Sequence, residues 1–221
     1  MAEAQGWANK IGETTETGAG HFYDRIARFY NLTFKLNGYG RSIERYLRTH
    51  PLPLDTGARV LDAGCGTGLL TLALLKALTT PSHITALDLS ASSIATARHA
   101  IFETARTKHR VSFLQANVLS LPFSDGSFNF IVTSGALEYV PLDEGMSELA
   151  RVLAPGGYFL HLPVYPSPMT TILEYMFHFK SHTPQEVMEN TSRYFRLVEH
   201  HRFPLIDPIS WSKTAVLAQK A

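Results

Sequence analysis

Cysteine is nearly absent from this 221-residue sequence, which contains a single one, Cys65. One thiol excludes an intramolecular disulfide framework and any metal site or redox pair that needs several cysteines. The sequence also lacks the roughly 20 consecutive apolar residues of a membrane-spanning helix, and the basic start and apolar run of a signal peptide. These absences predict a soluble protein in a reducing compartment, and we expect a cytoplasmic location.

An excess of charge of either sign is missing as well, because 20 Lys and Arg residues are balanced by 19 Asp and Glu residues. The formal net charge of +1 provides no general attraction to polyanions, so we expect no nucleic-acid partner. One local basic stretch spans residues 21–50. It indicates either a solvated helix face or a surface that makes weak contact with a membrane or an anionic substrate. These patterns do not predict an oligomeric state.

Strand-like and helix-like patterns alternate along most of the chain, which predicts the α/β class. Seven short apolar runs are typical of strands: ARVLDA, HITALDLS, VSFLQAN, FNFIVTSGA, YFLHLPV, RLVEHH and TAVLAQK. Helical patterns such as GLLTLALLKAL and DEGMSELARVL lie between several of them. The alternation implies crossover connections and a mainly parallel sheet, with ligands bound beyond the carboxyl ends of its strands.

The sequence divides into two parts. Residues 1–50 contain a polar, flexible lead-in and two helical patterns, and residues 51–221 form the main domain. Within that domain, residues 163–182 are interrupted by proline and rich in aromatics, and they follow the fifth strand, where an inserted lid would cover the site. The sequence Thr183-Pro184-Gln185-Glu186 then predicts a new helix, because it combines a capping box with proline at the first helical position.

A glycine-rich turn, LDAGCGTG from Leu61 to Gly68, follows the first predicted strand. Glycine is required where the backbone bends sharply or where a ligand comes too close to leave room for a Cβ. A dinucleotide-binding fingerprint would place its third glycine at position 69, but here that glycine comes one residue earlier. A phosphate-binding P-loop would continue with Lys and Ser or Thr, which do not follow.

Two acidic residues stand at the ends of consecutive predicted strands. Asp62 precedes the glycine turn, and Asp88 closes the next strand. A carboxylate in front of the turn would repel a pyrophosphate and attract a cation, whereas a carboxylate at the second strand end can accept hydrogen bonds from a ribose diol. The pair predicts a ligand in which a nucleoside is joined to a cationic group.

These motifs resemble those of the class I S-adenosylmethionine-dependent methyltransferases. VLDAGCGTG is similar to their motif I, and Asp88 matches their ribose-binding acid. QANVLSLPFSDGSFNFIVTSGALEYV resembles their adenine-binding and fourth-strand motifs, and ELARVLAPGG resembles their approach to the fifth strand. The N-terminal FYDRIARFYNLTF is most similar to the ubiquinone and menaquinone C-methyltransferase group.

The resemblance implies a Rossmann-like three-layer sandwich. Its seven-stranded sheet would be mostly parallel with an antiparallel last strand, and the N-terminal helices would act as a lid. The implied cofactor is S-adenosyl-L-methionine, and the implied partner is a small-molecule methyl acceptor. On the methionine side, the resemblance places Asp62 near the ammonium group, with Gly64, Gly66 and the backbone of Cys65 beside it. Asp88 would hold the ribose.

The resemblance also implies contacts to adenine and to the reactive methyl group. Leu89 would lie against adenine, Asn117 would accept from its amino group in place of the family's usual Asp, and the Val118 amide would meet a ring nitrogen. Ser134 and Gly135 would border the methyl group through their backbone. Two aromatic residues match lid positions of the family: Tyr23 and Tyr30.

Simpler structural roles stay open for several of these residues. Asp88 could cap the following helix, and Asn117 could be an ordinary turn residue. Tyr23 and Tyr30 could simply pack on a helical face. Cys65 fits a small loop residue better than a nucleophile, because methyl transfer needs none.

A general base is required only if the acceptor loses a proton, as a hydroxyl or a carbon acid would. Three residues are candidates by position alone: His161, Tyr139 and Glu138. For His161, a structural role in the core fits better than a role as base.

We expect no metal site. His178 and His182 have the H-x-x-x-H spacing, but they lack an intervening Glu and a third ligand, so exposed lid histidines fit better. His200 and His201 are adjacent on a strand, where neighbouring side chains point to opposite faces. They are therefore a poor pair of metal ligands.

The sequence therefore predicts a methyltransferase that acts on a small, fairly apolar molecule by in-line methyl transfer. The acceptor could be quinone-like, a lipid or a secondary metabolite, and carbon, oxygen and nitrogen acceptors are not distinguished. The alternative is a protein of the same fold that binds the cofactor without transferring methyl, as a binding module or as the catalyst of another reaction. The early third glycine and Asp62 argue against nicotinamide-linked reduction.

Overall fold

The computed structural model describes residues 38–104, 107–204 and 206–221. All of them belong to one compact unit that begins at Gly38. Tyr23 and Tyr30 lie outside the described residues, so their lid role stays a prediction. The division of the chain at residue 50 also stays a prediction.

Seven strands form a single sheet. They are β1 Ala58–Ala63, β2 Ser82–Asp88, β3 Arg110–Gln115, β4 Phe128–Ser134, β5 Leu153–Leu162, β6 Arg196–His201 and β7 Ala215–Gln219. Their order across the sheet is β3-β2-β1-β4-β5-β7-β6. All neighbours pair in parallel except β7, which is antiparallel to both β5 and β6. The predicted mostly parallel sheet with an antiparallel last strand is confirmed.

Helices flank this sheet. The described residues contain α1 Tyr39–Thr49, α2 Leu69–Ala77, α3 Ala91–Thr104, α4 Leu142–Val152, α5 Pro168–Phe177 and α6 Pro184–Tyr194, with short 3-10 helices at Leu137–Tyr139 and Pro208–Trp211. Helix α1 packs on α2, α4 packs on α6, and α3 contacts β2 and β3. None of the helices in these ranges is long and apolar enough to cross a membrane.

The two faces of the sheet bury different side chains of β1. Leu61 and Ala63 join a large apolar cluster with Met146 of α4. Asp62 points to the opposite face, as alternation along a strand requires, and meets Thr71 of α2 there. The strand that leads into the glycine turn therefore carries a carboxylate into the layer between the sheet and α2.

The proline-interrupted segment 163–182 contains a well-capped helix. The Ser167 hydroxyl accepts the N–H of Thr170 at 3.1 Å at the start of α5, and the helix ends before His178, whose φ is 53°. The next helix, α6, begins with the capping box at Thr183 and Pro184 that the sequence predicts. The segment therefore continues into a second helix through a short link.

The expectation of two exposed lid histidines is wrong for His182. His178 is exposed at the end of α5, but His182 is only 6% exposed, and its Nε2 lies 3.3 Å from the carbonyl oxygen of Leu137. The chain after α5 folds back onto the 3-10 helix Leu137–Tyr139, where the backbone N–H of Lys180 donates to the carbonyl of Glu138 at 2.9 Å. The two histidines consequently do not share a helix face.

Candidate cofactor-binding and catalytic site

The glycine turn between β1 and α2 is tightly enclosed at two of its glycines. Gly64 has a φ of +78°, and a Cβ there would lie 2.2 Å from the Cβ of Ala136. Gly68 has a φ of +88°, and its Cβ would lie 3.1 Å from that of Ala97 in α3. Both positions require glycine for their left-handed backbone and for the close approach of a neighbouring element.

Gly66 is different, because its Cβ position has no atom within 4 Å in the described part of the chain. Its N–H donates to Oδ2 of Asp88 at 2.8 Å. The two preceding N–H groups are engaged away from this opening, since Gly64 and Cys65 both donate to the carbonyl of Leu87 at 2.8 Å. The turn therefore presents an open side at Gly66, where a ligand can approach the backbone.

Asp88 connects the glycine turn to the start of α3. While Oδ2 accepts from Gly66, Oδ1 accepts the N–H of Ser90 at 2.8 Å. The helix itself is capped by Ser90, whose hydroxyl accepts the N–H of Ser93 at 3.2 Å. An ionised carboxylate has about four acceptor positions, so Asp88 keeps acceptor capacity for two further hydroxyl groups, the number that a ribose diol offers.

Asp62 is fully buried at the end of β1 with one carboxylate oxygen unused. Its Oδ2 accepts the hydroxyl of Thr71 at 2.5 Å, whereas Oδ1 has no hydrogen-bond partner among the described residues. Burial raises the pKa of Asp62 to about 7, the Thr71 hydrogen bond opposes that increase, and the charge of Asp88 adds to it. A buried carboxylate with a free oxygen is a place where a cationic group is stabilising.

The end of β4 lies next to β1 and carries Ser134 and Gly135. The Ser134 hydroxyl is hydrogen-bonded to the hydroxyl of Tyr39 in α1. Gly135 has a φ of +76°, and a Cβ there would lie 3.5 Å from Nζ of Lys213. This strand end is thus bordered by a tyrosine from α1 and by a lysine that precedes β7.

Lys213 is a site residue that the sequence analysis missed. It is buried, and its Nζ donates to the carbonyl of Leu162 at 3.1 Å. Burial lowers the pKa of Lys213, and the charge of Glu138 opposes that decrease. One signal was available, because Lys213 adjoins the apolar run TAVLA, and lysine is rarely buried without a partner.

Glu138 and Tyr139 follow the same strand end within the 3-10 helix Leu137–Tyr139. Glu138 is buried, and its Oε1 accepts the N–H of Val164 at 2.6 Å, whereas the described residues provide no partner for Oε2. Tyr139 is 44% exposed, and its ring centroid lies 5.9 Å from that of Phe179. Burial of the phenol raises the pKa of Tyr139 to about 12, with smaller contributions from Glu138 and Asp88, so its hydroxyl stays protonated.

His161 is completely buried in β5. Neither of its ring nitrogens has a hydrogen-bond partner within the described ranges. Burial, with smaller contributions from the nearby Lys213 and His182, lowers the pKa of His161 to about 3. The imidazole is therefore neutral at physiological pH and only weakly basic.

Comparison with known proteins assigns the fold and the glycine turn to a family. Residues 60–157 match the family model described as a methyltransferase domain. The chain is 32% identical over 148 residues to the demethylmenaquinone methyltransferase of Thermus thermophilus, an alignment that covers 66% of each protein. The chain belongs to the class I S-adenosylmethionine-dependent methyltransferases. S-adenosylmethionine, the cofactor predicted from Asp62 and Asp88, is the cofactor of this family.

Two further proteins are similar to this chain. A sterol 24-C-methyltransferase of Gibberella zeae is 32% identical over 144 residues, which cover 62% of this chain and 36% of that protein. The structure of geranyl diphosphate C-methyltransferase from Streptomyces coelicolor A3(2), in complex with Mg²⁺, geranyl diphosphate and S-adenosyl-L-homocysteine, has the same fold. Its TM-score is 0.65 at 18% identity, over 80% of this chain and 78% of that chain. The chain spans 66% of the length of the Thermus protein.

The three residues predicted to contact adenine differ in their exposure. Leu89 is 50% exposed at the end of β2, and Val118 is buried after β3. Asn117 is exposed, and its Oδ1 accepts the N–H of Leu119 at 2.9 Å, as in an Asx turn. Asn117 thus has the turn role that the sequence left open, and its adenine contact stays a prediction, as do those of Leu89 and Val118.

Cys65 has the properties of a structural thiol. Burial raises the pKa of Cys65 far above its usual value, and the charges of Asp62 and Asp88 raise it further. The thiol therefore stays protonated and unreactive, because the thiolate is the nucleophilic form.

Replacing Asp88 with Ala is expected to weaken the binding of S-adenosylhomocysteine by about 1–3 kcal/mol. The substitution removes the acceptor proposed for the ribose and leaves the N–H groups of Gly66 and Ser90 without their partner. Calorimetric titration measures the affinity, and Glu103→Ala on the exposed face of α3 is the control. An unchanged affinity in the Asp88 variant would refute the ribose assignment.

Proposed function

We propose that this chain transfers a methyl group from S-adenosylmethionine to a small, fairly apolar acceptor. The observation that carries the proposal is the buried Asp62, whose free oxygen adjoins a glycine turn that is open at Gly66. The names of the relatives support the acceptor class, since they refer to a menaquinone precursor, a sterol and geranyl diphosphate. We therefore propose a quinone-like molecule, a lipid or a secondary metabolite as the acceptor.

The residues present fit the cofactor. Asp62 has a free oxygen for the ammonium group, Gly66 leaves space for the methionine part, and Asp88 has acceptor capacity for the ribose hydroxyls. When bound, S-adenosylmethionine supplies an electrophilic methyl group on a sulfonium. Ser134 and Gly135 would border that group at the end of β4. The lone cysteine and the balanced charge support a cytoplasmic enzyme without a nucleic-acid partner.

Glu138 is the best of the three predicted catalytic residues to accept a proton from the acceptor. Its Oε2 has no partner in the described chain, and Val164 holds the other oxygen. His161 is too weak a base with a pKa of about 3, and Tyr139, with a pKa of about 12, is a neutral hydrogen-bond donor. A carbon or oxygen acceptor would lose its proton to Glu138 Oε2 as the new bond to methyl forms.

The segment 163–182 is suited to cover this acceptor region. Its backbone bonds to Glu138 through Lys180, and Phe179 lies beside the ring of Tyr139. Aromatic side chains at this edge would exclude water from the reacting groups and favour apolar acceptors.

The proposal is tested by incubating the purified chain with S-adenosylmethionine and one acceptor at a time. The panel contains a demethylated naphthoquinol, a sterol and geranyl diphosphate, followed by simple phenol and amine acceptors. We expect S-adenosylhomocysteine and a methylated product with at least one acceptor, detected by mass spectrometry. Cofactor binding without turnover on the whole panel would contradict the proposal and favour the non-methylating alternative.

With a carbon or oxygen acceptor, Glu138→Gln is expected to lower kcat by about a hundredfold. The affinity for S-adenosylhomocysteine should stay unchanged, because Glu138 is assigned to the acceptor side. Glu144→Gln, which changes an exposed acid at the start of α4, is the matched control. Equal kcat in the two variants would remove Glu138 from the mechanism.

A further inference from the structure

A cluster of potential metal ligands lies where the end of α1 meets the edge strand β6. His50 follows α1 directly, and Glu199 and His201 are two residues apart on β6. One ligand atom from each of the three side chains lies within 4.8 Å of the other two. No other residues in the described ranges form such a group of three histidine, cysteine or carboxylate ligands.

The separations within this cluster match those around a tetrahedral ion. His50 Nε2 lies 3.2 Å from Glu199 Oε1, and His201 Nδ1 lies 3.6 Å from the same oxygen. Ligand atoms bound at about 2.0–2.1 Å to a tetrahedral zinc ion are about 3.4 Å apart. An ion can therefore be placed among the three side chains with small rotations.

The orientation of His50 points its lone pair into the cluster. His50 Nδ1 lies 2.9 Å from the carbonyl oxygen of Tyr46 and 3.0 Å from the hydroxyl oxygen of Thr49, and in the tautomer with its hydrogen on Nδ1 the ring donates to that carbonyl. In the neutral ring, Nε2 then has the lone pair, and it faces a carboxylate oxygen. A ring whose other nitrogen bonds to a backbone carbonyl is typical of metal-bound histidines.

Tyr46 holds the three side chains in place. Its ring stacks on His50 with centroids 4.4 Å apart and lies 5.0 Å from the ring of His201. Its hydroxyl donates to Oε2 of Glu199 at 3.5 Å, which leaves Oε1 facing both histidines. The three ligand side chains are 31%, 32% and 28% exposed, so an ion can reach them from solvent.

We propose that His50, Glu199 and His201 bind a divalent ion of the zinc type that connects α1 to the edge of the sheet. Two imidazoles and a carboxylate are a donor set that zinc accepts, with water in the fourth position. His200 does not take part, because it faces Thr214 on the other side of β6, with Nε2 3.2 Å from the threonine hydroxyl oxygen. The sequence analysis considered His201 only together with His200, whereas in the structure its partners are Glu199 on the same strand and His50 after α1.

The test is calorimetric titration of the chelator-treated full chain with Zn²⁺, together with thermal unfolding in the presence and absence of the ion. We expect one tight equivalent in the wild type and a higher Tm with zinc. Glu199→Gln, which keeps the shape of the side chain, and His201→Gln should each lower the affinity more than about tenfold. Two controls should retain it: His200→Gln, and His99→Gln, which alters an exposed His–Glu pair at 3.3 Å in α3.

Each result decides the proposal. Loss of the tight equivalent in the two cluster variants, with retention in both controls, supports it. If the wild type binds no zinc, the cluster is an ion pair between a protonated His50 and Glu199, and the proposal is overturned. Equal loss in His200→Gln or His99→Gln would assign the binding to scattered surface histidines and would overturn it as well.

Discussion

Replacing Asp62 with Asn is expected to make the cofactor-free protein more stable at pH 8. Burial raises the pKa of Asp62 from 3.8 to about 7. Between these values the folded protein holds a proton that the unfolded chain has released, so stability falls as pH rises through this window. Above pH 7 the buried carboxylate costs on the order of 4 kcal/mol. Asparagine removes the charge but adds an unpaired amide, and we expect a net gain of about 2 kcal/mol.

The measurement is the free energy of urea unfolding at pH 5 and pH 8. The stability of Asp62→Asn relative to the wild type should be greater at pH 8 than at pH 5. Asp55→Asn, at an exposed position before β1, should differ from the wild type equally at both pH values. A variant at position 62 with the wild-type pH dependence would show that Asp62 is ionised in the folded protein without cost.

The same substitution should weaken the binding of S-adenosylhomocysteine, which retains the ammonium group of the cofactor. A hydrogen bond to a charged partner contributes about 1.5–3 kcal/mol, so the affinity should fall at least about tenfold. The substitution would then raise stability and lower affinity. This is expected of a residue that contributes to ligand binding at the expense of stability. A more stable variant with unchanged affinity would separate Asp62 from the cofactor.

Replacing His161 with Leu is expected to remove a loss of stability at acid pH. Burial lowers the pKa of His161 from 6.5 to about 3. Between these values the unfolded chain takes up a proton that the folded protein does not, so stability falls as pH decreases. At pH 4 this difference amounts to about 3 kcal/mol. Leucine fills the apolar site and does not titrate.

Urea unfolding at pH 7 and pH 4 tests this prediction, with His83→Leu at an exposed position of β2 as the control. Asp62 and His161 act in opposite directions over the same pH range, so the wild type should show only their difference. In Asp62→Asn, the loss of stability at acid pH that His161 causes should become measurable. In His161→Leu, the loss of stability with rising pH that Asp62 causes should become measurable. The prediction is wrong if His161→Leu and His83→Leu have the same pH dependence.

Local sequence was sufficient for most of the fold. The runs ARVLDA and RLVEHH coincide with β1 and β6, and the capping box at Thr183 marks the start of α6. These features depend on neighbouring residues alone, through alternation of apolar side chains and bonding of the first helical N–H groups. The helix α5 was not predicted, because three prolines between residues 163 and 168 and the mixed aromatics after them obscured its pattern.

The candidate site was predicted in part. The glycine turn, Asp62 and Asp88 were visible because their spacing follows from strand ends that lie next to each other in a parallel sheet. The sequence did not predict which residues meet on the acceptor side or how they are protonated. Lys213 comes to Gly135 from the far end of the chain, and the neutral state of His161 results from the residues packed around it.

The sequence by itself determined the fold class and the cofactor, and it led to the turn proposed to receive that cofactor, because these depend on short motifs and their order. Only the tertiary structure decided which charged and polar groups are buried, unpartnered or brought together. His50 and Glu199 illustrate the difference, since residues from separate elements meet across the edge of the sheet. Burial and distance between remote segments set the pKa of Asp62 and the geometry of the histidine cluster, and neither quantity is a property of local sequence.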